Sequence, residues 1–308
     1  MNTISHTATT QTHTPPAEAG LDQKRQALYD NLRRTGRLMI AYSGGADSAY
    51  LAYAAHLVLG DEMLAVIADS PSLARADLRA AIAFADSHSI PLRVIKTNEL
   101  ADPDYVRNDR TRCFHCKDEL FDVMADIRDF PAVAYGMNLD DIGDFRPGQK
   151  AAVQHNVLAP LAEAGLSKSE VRQLAREAGL SVWDRPASAC LSSRIAYGLP
   201  VTQETLQRIE DGEAFLSTLG FRQFRVRHHG DIARVEIARG ELEQTFSLSV
   251  FDRITAEFKR LGYKFVTLDM EGFRSGSMNS MLSSSFLPAS EIGRKPDNTH
   301  PHADEEAR

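Results

Sequence analysis

The sequence predicts an α/β fold, a parallel sheet with helices on both faces, followed by a smaller α+β C-terminal domain. Three observations carry that reading. Apolar runs of strand length alternate with segments of helical period; the first of these runs stops at a Ser-Gly-Gly turn that opens a helix; and beyond Pro200 the alternation gives way to a helix, a hairpin and a further helix.

Leu28 and Leu32, one helical turn apart, predict a helix over Leu21 to Thr35. Leu38 to Tyr42 is the first strand, Asp47 to Leu59 a helix, and Met63 to Ala68, apolar throughout, a strand buried on both faces. Leu73, Ala76, Ala80, Ala83 and Phe84 place a helix before the strand Leu92 to Thr97. Another round follows, a helix from Cys116 to Arg128 and a strand from Ala132 to Gly136. Such βαβ units cross over right-handed and bind ligands at the carboxyl ends of their strands. Ser167, with Glu170 three residues on, reads as the capped start of a helix ending at Gly179. Trp183 to Gly198 sustains neither period and reads as a shaped loop holding a lone thiol, Cys190. The last elements are a helix over Gln203 to Leu219, a hairpin, a helical stretch to Leu261 and a strand from Tyr263 to Leu268. The expected domains are 21–185 and 186–274, between tails 1–20 and 275–308 whose composition predicts disorder.

With 308 residues, 43% of them hydrophobic and 25% charged, the chain has the composition of a soluble globular protein with two cores. Its longest apolar stretch, Leu51 to Gly60, is broken by His56 and falls short of the roughly 20 residues that span a bilayer. The first 20 residues contain no Lys or Arg, as a signal or transit peptide would, so a cytoplasmic location is expected, with no membrane partner. A net charge of −7 without a Lys/Arg-rich run argues against nucleic acid as a partner, since such binding rests on clustered cations. Three internal cysteines, Cys113, Cys116 and Cys190, argue against a disulfide framework and for metal, redox or nucleophile chemistry.

The turn after the first strand reads Ser43-Gly44-Gly45-Ala46-Asp47-Ser48. Glycines let backbone N–H groups approach an anion, and the two serines add hydroxyls at the positive end of the helix. The loop has no lysine, and the spacing G-x-x-x-x-G-K-[ST] occurs nowhere in the chain. It resembles the PP-loop of the ATP pyrophosphatases, which implies an adenine nucleotide alpha hydrolase-like sheet and an ATP site at Ser43, Gly44, Gly45, Asp47 and Ser48, with Ser70 at the end of the next strand. Asp140, Asp141 and Asp144 follow another strand and suit Mg²⁺ on a triphosphate, although Asn and Asp are also ordinary turn formers. In the hairpin, Phe224, Val226, Ala233, Val235 and Ile237 line one face; Arg225, Arg227, Arg234 and Glu236 line the other. That second face suits bidentate recognition of phosphate or carboxylate, and equally a solvated face with a cross-strand ion pair.

Taken together, several stretches resemble the LarE family, ATP-dependent sulfur transferases of nickel-pincer nucleotide biosynthesis. They are Ser43 to Ser48, Asn108 with Arg112 to Lys117, Asn138 to Gly148, Pro186 to Gly198, the two hairpin strands, and Leu268 to Asn279. The resemblance implies adenylation of a carboxylate of pyridinium-3,5-biscarboxylic acid mononucleotide, then displacement of AMP by sulfur, because a free carboxylate is a poor electrophile. It implies that Arg225, Arg227 and Arg194 hold the substrate phosphate, that Glu213 and Glu236 bind metal or move a proton, and that Cys190 lies where sulfur is donated. It also implies a homo-oligomer working beside other proteins of that cofactor's biosynthesis. Two sulfur sources stay open. Cys190 is itself the sacrificed donor, or Cys113, Cys116 and Cys190 hold a [4Fe–4S] cluster, for which thiolates are the usual ligands. The Cys113/Cys116 pair, which sacrificial members do not need, opens a helix whose dipole favours thiolate. A zinc or redox pair would need a further ligand such as His115. A PP-loop tRNA thiolase and a nucleotide-sensing protein without chemistry are the competing classes.

Overall fold

The computed structural model describes residues 20–142, 147–186 and 189–274. The two expected tails beyond Gly20 and Arg274, Asp144, and the Ser275 to Asn279 part of the late motif lie outside the described residues.

The first region alternates as expected: α1 (Leu21–Thr35), β1 (Leu38–Ala41), α2 (Ala46–Leu59), β2 (Met63–Asp69), α3 (Arg75–Ser87), β3 (Leu92–Lys96), α4 (Pro103–Val106), α5 (Arg112–Ala125), β4 (Ala132–Tyr135), α6 (Pro147–Gln154), α7 (Pro160–Glu163) and α8 (Lys168–Glu177). The four strands form one parallel sheet in the order β3-β2-β1-β4, with Leu38 beside Met63 on one side and Ala132 on the other. Because successive strand residues point to opposite faces, the sheet feeds two cores. Leu38, Ile40, Met63, Ala65 and Ile67 pack under α1, α2, α3 and α8. Met39, Leu64 and Val66 pack on the other side against Phe121 and Met124 of α5 and Ala151 and Ala152 of α6. The doubly covered parallel sheet is therefore observed. The Ser167–Glu170 capping box opens α8 as expected.

The helix expected from Cys116 to Arg128 begins earlier and ends earlier, at Arg112 and Ala125. Its apolar face is carried by Phe121 and Met124, so the buried stripe does not fix where the preceding polar turn starts.

Beyond the 190s, α9 (Gln203–Thr218), β5 (Phe224–His229), β6 (Ile232–Ile237), α10 (Leu248–Arg260) and β7 (Phe265–Leu268) build a second layer pair. β5 and β6 form the expected antiparallel hairpin, and β7 adds to β6 in parallel, giving the order β5-β6-β7. Leu206, Ile209 and Leu216 of α9 meet Val226, Val235 and Ile237 of the hairpin and Phe258 of α10. Tyr105 from α4 and Leu191 and Ile195 from the cysteine loop are buried in the same core. No described helix is long and apolar enough to cross a membrane.

His228 joins this core to the cysteine loop, its carbonyl accepting from Ala196 N at 2.9 Å and its ring meeting Tyr263. Burial, then the nearby Arg208 and His229, lowers its pKa from 6.5 to about 4. The unfolded chain takes up a proton near pH 6.5 that native His228 refuses until about pH 4, so its share of stability is present above 6.5 and is lost as pH falls toward 4. A loss of about 3 kcal/mol across that window is expected, and replacing His228 by glutamine removes this part of the pH dependence in urea unfolding followed at several pH values.

Candidate active site

The turn between β1 and α2 is shaped by sterics. Gly44 has φ +74°, a conformation that L side chains rarely adopt, and a Cβ there would lie 2.7 Å from Ala81 Cβ. Ser48 Oγ accepts from Ser43 N at 3.2 Å and donates to Gly45 O at 3.1 Å, which closes the loop over the first turn of α2. Gly136, at the exit of β4, passes so near that turn that a Cβ would stand 2.7 Å from Ser48 N. Gly136→Ala is expected to force backbone to move, costing about 1–3 kcal/mol, read as a lowered thermal midpoint.

The 3₁₀ turn Leu139–Asp141 brings acids to the same place. Asp141 lies near enough that its charge helps raise the pKa of Asp47, although burial is the larger cause, and Lys168 and Arg172 oppose the rise. Asp47 Oδ1 is buried with no hydrogen-bond partner among the described residues. Asp140 Oδ2 accepts from Lys168 N at 2.9 Å and so anchors the start of α8. Ser70 does not present its hydroxyl to this loop. It is buried and donates to Glu99, which also accepts from Ser72 at 3.2 Å.

A second cluster holds the thiols. Cys190 Sγ lies 3.0 Å from Ser192 Oγ, and the residue after it is tied to the end of β2 through Leu191 N donating to Ser72 O at 2.8 Å. The three cysteines are free, and they are near enough to act on one another electrically: Cys190 contributes to raising the pKa of both Cys113 and Cys116. Desolvation is the larger cause for each. Arg112 opposes the rise at both. His115 turns to Asp102, its Nδ1 at 3.1 Å from Oδ2, and these two form a close group with Asp104.

On the arginine face of the hairpin Arg227 and Glu236 are buried, whereas Arg225 and Arg234 are half-buried. Glu236 is 0% exposed, with Oε2 2.9 Å from Arg227 Nη2 and Oε1 3.1 Å from Arg234 Nη2. Register puts Arg227 opposite Arg234 and Arg225 opposite Glu236, and the Glu236 carboxylate bridges the Arg227 and Arg234 guanidinium groups. Arg194 is also buried. Its Nε and Nη2 donate to the two oxygens of Glu213 at 3.0 and 3.1 Å, and its Nη1 donates to Cys190 O at 2.8 Å. Glu213 accepts from Val226 N as well, at 3.1 Å. Glu213 and Glu236 thus stand as acceptors within ion pairs, and Arg194 as a brace between α9 and the cysteine loop. Burial, with Arg194 the next largest influence, lowers the pKa of Arg225 to about 10.

No family model matches the chain. It is 40% identical over 266 residues to an uncharacterized protein of Synechocystis sp., covering 85% of this chain and 99% of that one. It is 28% identical over 256 residues to an uncharacterized protein of Methanocaldococcus jannaschii, covering 80% of this chain and 96% of that one. To the pyridinium-3,5-bisthiocarboxylic acid mononucleotide synthase of Lactiplantibacillus plantarum it is 33% identical over 273 residues, 87% of this chain and 98% of the synthase. The chain belongs to the LarE family.

Within this LarE-family chain the structure adds residues to which sequence reading gave no role. Arg185 donates to Gly44 O at 3.2 Å and to Asp77 at 2.7 Å, placing a cation against a loop that has no lysine. Arg172 holds the turn that carries it, donating to Trp183 O at 2.9 Å and Arg185 O at 2.6 Å. Glu99 gives no local signal at all, because its partners Ser70 and Ser72 are 29 and 27 residues away. Arg185 does stand at the edge of the aperiodic 183–198 stretch, where a basic residue before a shaped loop was the one available cue.

Proposed function

We propose that this chain is an ATP-dependent sulfur transferase that adenylates a carboxylate of pyridinium-3,5-biscarboxylic acid mononucleotide and replaces its oxygen with sulfur, releasing AMP and pyrophosphate. The observation that carries the reading is the Arg194 brace. One guanidinium bonds both the Cys190 carbonyl and Glu213, and lies near enough to Arg225 to depress its pKa, so the thiol segment and the arginine pair are parts of one site. The printed name of the Lactiplantibacillus relative, a synthase of the bisthiocarboxylic acid mononucleotide, supports the same substrate class.

ATP fits the Ser43 to Ser48 turn, whose positive-φ Gly44 and close-packed Gly136 keep the loop narrow at the start of α2. The partnerless Oδ1 of Asp47, with Asp141 nearby, fits a divalent cation on the triphosphate, with Asp140 beside them. Positive charge on a transferring phosphoryl group lowers the barrier to adenylation, and Arg185 and Lys168 are placed to contribute it. Arg225 and Arg227 would hold the mononucleotide phosphate. Glu213 and Glu236 keep the guanidinium groups in position.

Three thiols from two segments, electrically coupled and beside buried Arg112, fit the donor set of a three-cysteine [4Fe–4S] cluster held by Cys113, Cys116 and Cys190. Such a cluster supplies a replaceable sulfur atom, whereas Cys190 as sole donor would be consumed. Anaerobic purification with iron and sulfide analysis separates the two: about four irons per chain, lost in Cys113→Ala, supports the cluster. Absence of iron, with loss of one H₂S from Cys190 after turnover, establishes the sacrificial route. Release of pyrophosphate and AMP only with the biscarboxylate substrate tests the transferase itself. Tight, salt-dependent tRNA binding would favour a tRNA thiolase instead.

A further inference from the structure

We propose that Asn108 and Arg112 are positioning residues that clamp the Cys190 segment onto the start of α5, so that two distant segments, one carrying Cys190 and the other Cys113 and Cys116, are joined before any ligand arrives. The proposal deepens the sulfur-transfer reading and rests on it for the use of the thiols, though not for the clamp.

Asn108 is 0% exposed and holds a positive φ of 56°. Its amide nitrogen donates to Ala196 O at 2.9 Å and Leu199 O at 2.8 Å, and its backbone oxygen accepts from Gly198 N at 3.2 Å. One asparagine thus gathers three positions of the turn that follows Cys190. Its side-chain oxygen accepts from Arg112 Nη1, which also donates to Ser192 O at 2.9 Å, two residues from the thiol. Arg112 is itself buried, directly precedes Cys113, and has its guanidinium 5.8 Å from the centre of the Tyr197 ring. Apart from the Asn108–Arg112 bond itself, every bond named runs between the 105–112 turn and the 190–199 loop, about 80 to 90 residues apart in sequence. Neither side chain needs to touch a ligand for this. A buried amide and guanidinium are used because backbone carbonyls brought together without a strand ladder require donors from elsewhere.

The clamp is testable in the metal-free chain. Dibromobimane, which bridges neighbouring thiols, is expected to join Cys190 to Cys113 or Cys116 in the wild-type protein, read by peptide mapping. Asn108→Gly, which tolerates the positive φ but removes the amide, and Arg112→Met are expected to lower the bridged fraction about tenfold and to speed amide exchange at Ser193, Ile195, Ala196 and Gly198 by a similar factor. Arg112→Lys, which keeps a buried cation and N–H donors, should restore most of the bridging. The proposal is overturned if the wild-type thiols do not bridge, or if both variants bridge and exchange as wild type does. If Arg112→Met fails to fold, Asn108→Gly and Arg112→Lys decide the matter by the same readouts. The bridging is read without metal, whereas iron and sulfide content of the anaerobically purified protein tests the cluster, so absence of iron there with bridging retained in the metal-free chain would refute the cluster and leave the clamp standing.

Discussion

Replacing Glu236 by alanine is expected to destabilise the protein by about 3–5 kcal/mol, the range for removing one partner of a buried ion pair. Its two oxygens separate Arg227 from Arg234, which sit directly opposite each other across the hairpin, and the residue has no exposure to water. Without the carboxylate, the buried Arg227 guanidinium is left facing the half-buried Arg234 with no anion between them. Urea unfolding of Glu236→Ala checks the magnitude. Glu236→Gln keeps acceptor geometry but not charge, and should fall between the variant and the wild type. If Glu236 were an open metal ligand or proton carrier instead, the alanine variant would lose activity while keeping its stability.

Cys190→Ala is expected to abolish thiocarboxylate formation, by at least about 10³-fold, while pyrophosphate release from ATP changes only a few-fold. The separation follows from the layout: the phosphate loop lies at the end of β1, whereas Cys190 belongs to the loop braced by Arg194 and Ser72. Product analysis by mass spectrometry alongside a pyrophosphate assay measures both halves in one reaction. An alanine variant that still makes the thiocarboxylate would remove Cys190 from the chemistry under either sulfur source.

The alternation of β1 to β4 with their helices was legible because each buried strand is a continuous apolar run and each helix carries an apolar stripe, both properties of neighbouring residues. The boundaries of α5 were less so. Arg112 and Cys113 are polar or small enough to belong to a loop, and what makes them helical is the packing of Phe121 and Met124 two turns later. The arginine face shows the same division. Its alternation could be read, but whether it met water or protein depended on the cysteine loop returning over it, as Arg227 Nη1 approaches Ser193 O at 3.4 Å.

By itself, the sequence determined the doubly covered parallel sheet, the Ser-Gly-Gly turn that opens a helix, the hairpin and the inventory of three thiols, because these rest on local period and residue type. Only the tertiary structure decided which charged side chains pair with one another. Arg194 meets a partner 19 residues away and Glu236 one 9 residues away, contacts set by how the chain folds back on itself and strengthened by a medium of low polarity.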